Sequence, residues 1–210
     1  MEQRTEEWFQ ERLGKVTASC IADVLAKTKT GYSASRKNYA AQLITERLTG
    51  VKTDTYTNAA MQWGTEHEDE ARALYQFDKD VQVQQIGFVH HSTIPMTGAS
   101  PDGLVGENGL IEIKCPNTAT HIDFLDTEVI NGKYLLQMQW QMACTGRQWC
   151  DFVSYDPRMP QHLMMKIVRL ERNDSEIRRI EAEVIDFLRE IDEKIMRLNE
   201  KYPTDQGFLS

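Results

Sequence analysis

The sequence predicts a single α/β domain over residues 1–210, built on a central mixed β-sheet with helices on its faces. Three patterns carry this prediction. Helical spacing dominates the first quarter of the chain, alternating residues rich in Ile and Val follow between about 81 and 114, and apolar residues recur at three- and four-residue steps after 177. Helices, then strands, then a covering helix are typical of α/β or α+β domains.

The individual elements follow from capping residues and turn signals. Thr5, Thr17 and Ser33 are predicted helix N-caps, because a short hydroxyl side chain accepts a hydrogen bond from a free backbone N–H. Asn108 and Gly109 predict a hairpin turn between two strands. The predicted helices are about 5–13, 17–26, 33–48, 57–77, 118–128, 133–146 and a long terminal helix carrying Ile177 to Leu198. The predicted strands are about 81–90, 104–105, 110–114, 148–155 and 162–170.

Charge is distributed unevenly along the chain. The net charge of −8 disfavours a polyanionic partner, because phosphate binding depends on Lys and Arg. Residues 12–52, however, contain eight basic residues and two acidic ones, a local balance of +6 that leaves −14 for the rest. This asymmetry fits a protein that meets a polyanion on one face and holds metal with carboxylates elsewhere, or a scattered, solvated surface.

The composition excludes several classes of protein. A hydrophobic share of 40% and a charged share of 27% are typical of a globular chain. No apolar run approaches the roughly 18 residues of a membrane span, and the acidic start does not resemble a secretory leader. We therefore expect no membrane partner. The four cysteines lack C-x-x-C spacing, which disfavours a disulfide framework or zinc knuckle and favours a reducing cytoplasm, that of the host if the protein is phage-encoded.

Two carboxylates and an amine are predicted to meet at one hairpin. Side chains alternate along a strand, so Glu112 and Lys114 emerge on one face while Ile113 points to the other. The hairpin brings Asp102, at the start of the preceding strand, close to Glu112. Adjacent carboxylates repel unless a cation lies between them, and Mg²⁺ prefers such oxygen ligands. Lys114 would orient or deprotonate a metal-bound water or stabilise developing charge; the alternative is an ordinary surface hairpin.

A helix upstream offers a further carboxylate. Gly64 and Glu68 form a G-x-x-x-E pattern in which the glycine permits close approach and the acid projects one turn later. Glu68 could add a metal ligand, and the alternative is a solvated acidic helix face.

Taken in chain order, the G-x-x-x-E pattern, Asp102, and Glu112 with Lys114 resemble the motifs of the PD-(D/E)XK nuclease superfamily. The sequence resembles more closely the lambda exonuclease and YqaJ-type viral recombinase family. The resemblance covers about residues 5–170. The matching blocks are R-L-G-x-x-T-A-S (Arg12 to Ser19), W-G-x-x-x-E-x-x-A-R (Trp63 to Arg72), S-P-D-G-L (Ser100 to Leu104), E-x-K-C-P (Glu112 to Pro116), Q-x-Q (Gln137 to Gln139) and Y-D-P-R-M (Tyr155 to Met159).

This resemblance implies a restriction-endonuclease-like core and a Mg²⁺-dependent exonuclease, with Mn²⁺ as a substitute ion. The substrate would be linear double-stranded DNA with a 5′-phosphate. Digestion of one strand from the 5′ end would release mononucleotides and leave a 3′ single-stranded overhang for recombination by strand annealing. The resemblance also implies a homotrimeric ring threaded by DNA and a single-strand annealing protein as partner.

By position, the resemblance assigns roles to the acidic residues. Asp102 and Glu112 match the central catalytic metal ligands, Ile113 the carbonyl ligand, Glu68 the additional carboxylate and Lys114 the catalytic lysine.

A second set resembles the pocket that binds the terminal 5′-phosphate: Arg12, Ser19, Ser100 and Gln137. The guanidinium of Arg12 offers a planar fork of donors to phosphate, and hydroxyl and amide groups add neutral donors. A surface salt bridge to Glu7 or Glu11 is the other reading of Arg12. Trp8 matches a tryptophan near the DNA end and could stack on a base, or it anchors a core or interface.

The chain departs from the family pattern after the E-x-K-C-P block. Where the family has a basic residue directed toward the duplex, this sequence offers His121. Strand handling is therefore less well defined than cleavage, and the block from Tyr155 to Met159 has no assigned role. Two alternative functions stay open: a structure- or site-specific endonuclease of the same superfamily, and a catalytically silent DNA-end binding protein.

Overall fold

A computed structural model describes residues 3–29, 31–53 and 59–203, and it confirms the predicted fold class. The helices are α1 (Glu6–Arg12), α2 (Ile21–Leu25), α3 (Ala34–Thr49), α4 (Ala59–Lys79), α5 (Thr118–Thr127), α6 (Gly132–Thr145) and α7 (Asp174–Lys201). The strands are β1 (Val16–Thr17), β2 (Lys27–Thr28), β3 (Gly31–Tyr32), β4 (Val83–Gln84), β5 (Val89–His90), β6 (Thr97–Ala99), β7 (Gly103–Val105), β8 (Gly109–Lys114), β9 (Trp149–Tyr155) and β10 (Met165–Glu171). Within the described ranges, no helix combines the length and the hydrophobicity needed to cross a membrane.

The central sheet has the strand order β10-β9-β8-β7-β4. The neighbours β8 and β9 are parallel, whereas the other neighbouring pairs are antiparallel, so the sheet is mixed as predicted. The parallel pair requires a crossover, which α5 and α6 supply. β7 and β8 form the predicted hairpin. At Gly109, the first residue of β8, any side chain would displace the Trp149 ring, because a Cβ atom there would lie 2.1 Å from the indole.

The helix α6 lies between the central sheet and the terminal helix. Met138 and Met142 pack on the sheet, while Trp140 joins a cluster with residues of α2, α3 and α7. The helix α4 contributes Ala71 and Tyr75 to a separate cluster with β8 and β9. The apolar stripe predicted for the terminal helix is confirmed by its buried residues, Ile177, Ile180, Val184, Phe187, Leu188 and Ile191.

Some sequence predictions need correction. The strand predicted over 81–90 is two short strands in different sheets, since β4 pairs with β7 whereas β5 pairs with β6. Thr5 and Ser33 cap their helices as predicted. Thr17 makes no capping hydrogen bond and instead lies in β1, which pairs in parallel with β6. The predicted start of the fourth helix at Thr57 lies outside the described residues.

The positive charge of the basic segment, residues 12–52, is partly neutralised by ion pairs within the chain. Three of its cations pair with carboxylates of α7: Lys27 with Glu183 at 2.5 Å, Arg36 with Glu190 at 2.9 Å and Arg47 with Asp192 at 2.7 Å. The charge asymmetry therefore reflects contacts between α7 and the preceding elements as well as any polyanion-binding face. Arg12 remains directed toward a different region, described next.

Candidate active site

The hairpin brings Asp102, Glu112 and Lys114 to one end of the central sheet. Asp102 immediately precedes β7, and the other two lie near the end of β8, so antiparallel pairing puts them side by side. Asp102 Oδ2 accepts a 2.6 Å hydrogen bond from the Ile113 backbone N–H, where β7 no longer supplies a partner. The proximity predicted from the sequence is therefore present in the structure.

The Glu112 carboxylate is held in one orientation. Glu112 is only 1% exposed. Burying a charged group costs free energy unless hydrogen-bond donors or a cation surround it. Lys114 Nζ lies 2.5 Å from Glu112 Oε1, and Gln137 Nε2 donates to the same oxygen at 2.7 Å. Gln141 Nε2 donates to the other oxygen, Oε2, at 2.6 Å. These contacts leave little freedom of rotation to the carboxylate.

The charges of the site shift the pKa values of two of its groups. Burial raises the pKa of Asp102 well above its ordinary value, and the Glu112 and Glu68 carboxylates raise it further. Burial lowers the pKa of Lys114, but the Glu112 and Asp102 carboxylates outweigh this effect, so the pKa of Lys114 is raised. The contributions of the neighbouring carboxylates to both pKa values indicate a locally negative site that stabilises a cation.

Glu68 approaches the same site from α4. Arg4 Nη2 lies 2.5 Å from Glu68 Oε2, and Arg72 Nη2 lies 2.7 Å from Oε1. Both carboxylate oxygens are thus engaged by guanidinium groups. Glu68 would have to exchange at least part of one of these contacts to ligate a metal.

On the other side of Asp102, Ser100 joins two residues of α1. The indole Nε1 of Trp8 donates to Ser100 Oγ at 2.9 Å, and Arg12 Nη1 donates to it at 3.1 Å. The Arg12 guanidinium also lies 4.1 Å from the centre of the Trp8 ring. In the described contacts, Arg12 forms no ion pair with Glu7 or Glu11. A cation with mainly neutral partners is suited to binding an anion.

The ten predicted site residues line one cavity of about 270 Å³. Ser19, in the short 3₁₀ turn Ala18–Cys20, and Gln137 belong to this lining, although the Gln137 amide faces Glu112. The full set is Trp8, Arg12, Ser19, Glu68, Ser100, Asp102, Glu112, Ile113, Lys114 and Gln137. Within the described ranges, no three Asp, Glu, His or Cys side chains already converge as metal ligands. The individual roles of the ten residues stay predictions.

Sequence reasoning missed two residues that hold the carboxylates of Glu112 and Glu68 in place. Gln141 supports Glu112, and Arg4 supports Glu68. Gln141 follows Gln137 by four residues, so both amides lie on one face of α6, and this spacing was the available signal. Arg4 gave no signal, because it precedes the first helix and meets a residue 64 positions away.

His121, which stands where the family has a basic residue directed toward the duplex, faces the interior of the protein. His121 is fully buried on the inner side of α5. One ring nitrogen lies 2.8 Å from Ser154 Oγ, and the other lies 2.8 Å from the Leu163 carbonyl oxygen. Its role is to connect α5 to the end of β9 and the following turn.

The block from Tyr155 to Met159 fixes the segment that follows Lys114. Asp156 is buried and accepts hydrogen bonds from Thr118 Oγ1 at 2.7 Å and from Arg158 Nε at 2.7 Å. Arg158 Nη2 also donates to the Pro116 carbonyl at 3.2 Å. This network ties the end of β9 to the start of α5, and it thereby supports the end of β8 where the candidate site lies.

This network predicts a pH-dependent contribution to stability. Burial raises the pKa of Asp156, but hydrogen bonds from Arg158 and Thr118 outweigh it and lower the pKa to about 2, from 3.8. The depressed pKa stabilises the fold above about pH 4, and the contribution disappears as the pH falls toward 2. Because Arg158 is 44% exposed, solvent screening limits the effect, and we expect Asp156→Asn to lose about 1–2 kcal/mol at pH 7.

Urea unfolding between pH 7 and pH 3 measures this difference. The gap between the Asp156→Asn variant and the unsubstituted protein should narrow as the pH falls. Asp126→Asn, which changes an exposed carboxylate on α5, serves as the control and should unfold like the unsubstituted protein at every pH. A gap of constant size across the range would contradict the assigned ionisation.

The chain is similar to known nucleases over most of its length. An alkaline exonuclease, LHK-Exo, from Laribacter hongkongensis is 54% identical, with 94% of this chain and 97% of that chain covered and a TM-score of 0.88. The same enzyme in complex with dAMP matches with a TM-score of 0.89. A phage-related exonuclease from Haemophilus somnus 129PT shares the fold, with 18% identity, 88% of this chain and 96% of that chain covered and a TM-score of 0.72.

A viral relative matches a smaller part of a larger protein. The uncharacterized protein R354 of Acanthamoeba polyphaga mimivirus is 25% identical over 165 residues, which is 72% of this chain and 29% of that protein. The chain therefore spans less than a third of the length of this relative. The family model of the YqaJ-like viral recombinase domain matches residues 7–148, which is more than half of the chain. The chain thus belongs to the YqaJ-like viral recombinase family.

Proposed function

We propose that this chain is a Mg²⁺-dependent exonuclease that digests one strand of linear double-stranded DNA from its 5′ end. It releases mononucleotides and leaves a 3′ single-stranded overhang for strand annealing. The single observation that carries the proposal is the shared cavity, in which phosphate donors and two adjacent carboxylates with a lysine lie together. The 54% identity to an alkaline exonuclease supports the same chemistry.

The donor set of the cavity fits a hard divalent cation. Asp102 and Glu112 offer carboxylate oxygens, and Asp102 uses only Oδ2 for the Ile113 N–H. The N–H and C=O of one strand residue point to the same side, so the Ile113 carbonyl also faces the side where β7 has ended. Oxygen-only ligands suit Mg²⁺, and Mn²⁺ can replace it. Bound there, the cation supplies an activated water and neutralises charge on the phosphate.

The remaining groups of the cavity divide between the two phosphates of the substrate. Arg12 and Ser100 bind the terminal 5′-phosphate, with Ser19 and Gln137 in the same lining. Lys114, kept protonated by Glu112 and Asp102, donates hydrogen bonds to the attacking water or to the phosphate oxygens. Because both phosphate positions lie in one cavity, a strand held by its 5′ end loses a single nucleotide at each cut.

We further propose that the chain, as a single domain over residues 1–210, assembles into a homotrimer. Three copies form a ring around the duplex, so that basic surfaces face the DNA while the excess of acidic residues, which gives the chain its net charge of −8, lies elsewhere. A single-strand annealing protein receives the exposed 3′ strand. A solution mass of one chain at working concentration would contradict the ring without contradicting cleavage.

A gel assay with three DNA substrates tests the function. A covalently closed circular duplex, a linear duplex with a 5′-phosphate and a linear duplex without one are each incubated with Mg²⁺ or with chelator. We expect mononucleotides only from linear DNA with Mg²⁺, and most from the 5′-phosphorylated ends. Cleavage of the closed circle would indicate an endonuclease, and binding of ends without turnover would indicate a silent end-binding protein.

Arg12→Ala is expected to remove most of the preference for a 5′-phosphate. A charge-assisted contact to phosphate contributes enough for a roughly tenfold difference in kcat/KM between 5′-phosphate and 5′-hydroxyl ends. The variant should digest both ends at similar rates. Arg189→Ala, which removes an exposed arginine of α7, should keep the preference. If Arg12→Ala keeps the full preference for 5′-phosphate over 5′-hydroxyl ends, Arg12 does not bind the terminal phosphate.

A further inference from the structure

A second cavity lies beside Lys114, between α5 and α6, and is called here the α5–α6 pocket. Its volume is about 350 Å³, within the range of small-molecule sites. Lys114 lines both this pocket and the cavity of the carboxylates, so the two spaces meet at one side chain. Its lining also includes Thr120, Asp123, Asn131, Tyr134, Phe152 and Ser154.

The strand order places this pocket on the far side of Glu112 and Lys114 from Ser100, one of the proposed donors to the 5′-phosphate. Ser100 and Asp102 precede β7, Glu112 and Lys114 end β8, and Phe152 and Ser154 lie on β9. These strands are consecutive neighbours in the sheet, spaced about 4.8 Å apart. A DNA strand with its 5′-phosphate beside Ser100 and its next phosphate beside Glu112 therefore continues toward β9 and the α5–α6 pocket.

The lining of the pocket suits a base better than a phosphate. The partly exposed Tyr134 ring forms part of the wall, backed by the buried Phe152 ring at a ring separation of 5.5 Å. Lys114 is the one cation among the lining residues, and the Asp123 carboxylate would repel a second phosphate. Asn131 and Thr120 can exchange hydrogen bonds with the edge of a base. Aromatic faces beside polar groups of this kind bind the bases of single-stranded nucleic acids.

We propose that the α5–α6 pocket binds the base of the nucleotide on the 3′ side of the scissile phosphate. This inference rests on the proposed function, because it names the position of the substrate strand beyond the cut. Holding that base keeps the second phosphate of the strand beside Lys114 and Glu112. The nucleotide in this pocket becomes the new 5′ end after each cut.

A tryptophan placed in the pocket tests this inference together with a substrate that lacks the base. Thr120→Trp fills the space from the exposed side of α5, and Ile122→Trp adds the same ring to an exposed position of α5 outside the lining. Each protein digests two 5′-phosphorylated duplexes, one intact and one with an abasic second nucleotide in the digested strand. kcat/KM is measured for each pair.

For the unsubstituted protein and Ile122→Trp, the abasic nucleotide should lower kcat/KM roughly tenfold, the size expected for loss of one stacked base. For Thr120→Trp, kcat/KM on the intact duplex should already be roughly tenfold lower than for the unsubstituted protein. The abasic nucleotide should lower it little further. An equal abasic effect in all three proteins overturns the pocket assignment. Failure of the proposed function looks different, since the unsubstituted protein then releases no nucleotide from the intact duplex.

A binding measurement decides the inference even without cleavage. A 5′-phosphorylated single strand with 2-aminopurine as its second base is mixed with each protein in chelator. Stacking on the rings of the pocket should quench the fluorescence with the unsubstituted protein and Ile122→Trp, and Thr120→Trp should weaken this binding. Identical binding curves and quenching for the three proteins would place that base elsewhere.

Discussion

Lys114→Ala should lower kcat/KM on 5′-phosphorylated linear duplex by about 10²- to 10³-fold, the usual effect of losing one preorganised charge-stabilising donor. The ammonium lies 2.5 Å from Glu112 Oε1, so the substitution removes the positive charge beside the carboxylate at which we propose that the scissile phosphate binds. Folding should survive, because Gln137 and Gln141 still donate to the Glu112 carboxylate. Release of acid-soluble nucleotide over a range of DNA concentrations measures the loss.

The same variant separates catalysis from metal binding. Lys114 competes with a cation for Glu112, so its removal should leave the affinity for Mn²⁺ unchanged or stronger in calorimetry, while cleavage falls. Lys133→Ala is the matched control, since Lys133 also lies over the Tyr134 ring, at 4.7 Å, but is outside the lining of the carboxylate cavity. Full activity in Lys114→Ala would exclude the lysine from the chemistry.

The central part of the site could be predicted because it is local in sequence. Asp102, Glu112 and Lys114 lie within one hairpin, whose turn is marked by Asn108 and Gly109. The two-residue period of a strand then decides which side chains share a face. The long-range partners of the site could not be derived in this way. Their contacts depend on how α1, α4 and α6 pack against the sheet, which the local pattern does not encode.

Charge and strand length were the weaker predictions, each for a physical reason. The basic segment suggested a face for a polyanion, yet three of its cations pair with α7, a partner more than a hundred residues later. The apolar alternation over 81–90 was real, but strand pairing changes partner between Gln84 and Val89. The burial of His121 was not predicted, because its neighbours in sequence give no sign that α5 turns it inward.

Gln141→Leu should weaken metal binding and kcat/KM by about 10- to 100-fold, the range seen when a residue that supports a metal ligand is removed. Gln141 is fully buried, and its Nε2 donates to Glu112 Oε2 at 2.6 Å, while its Oε1 has no hydrogen-bond partner in the described structure. The amide thus serves the carboxylate at the cost of an unsatisfied acceptor. Leucine removes that acceptor and leaves Glu112 free to turn.

A fixed Glu112 matters because its Oε1 must stay on the side of Lys114 when the cation binds. Raising the Mg²⁺ concentration should therefore recover much of the activity of Gln141→Leu, whereas it cannot recover Lys114→Ala. Gln139→Leu provides the matched control, since Gln139 is also buried on α6 but bonds to Glu171 and Asn173 on the opposite side. That variant should lose stability and keep its metal dependence. If Gln141→Leu shows the metal dependence of the unsubstituted protein, Glu112 is held by Lys114 and Gln137 alone.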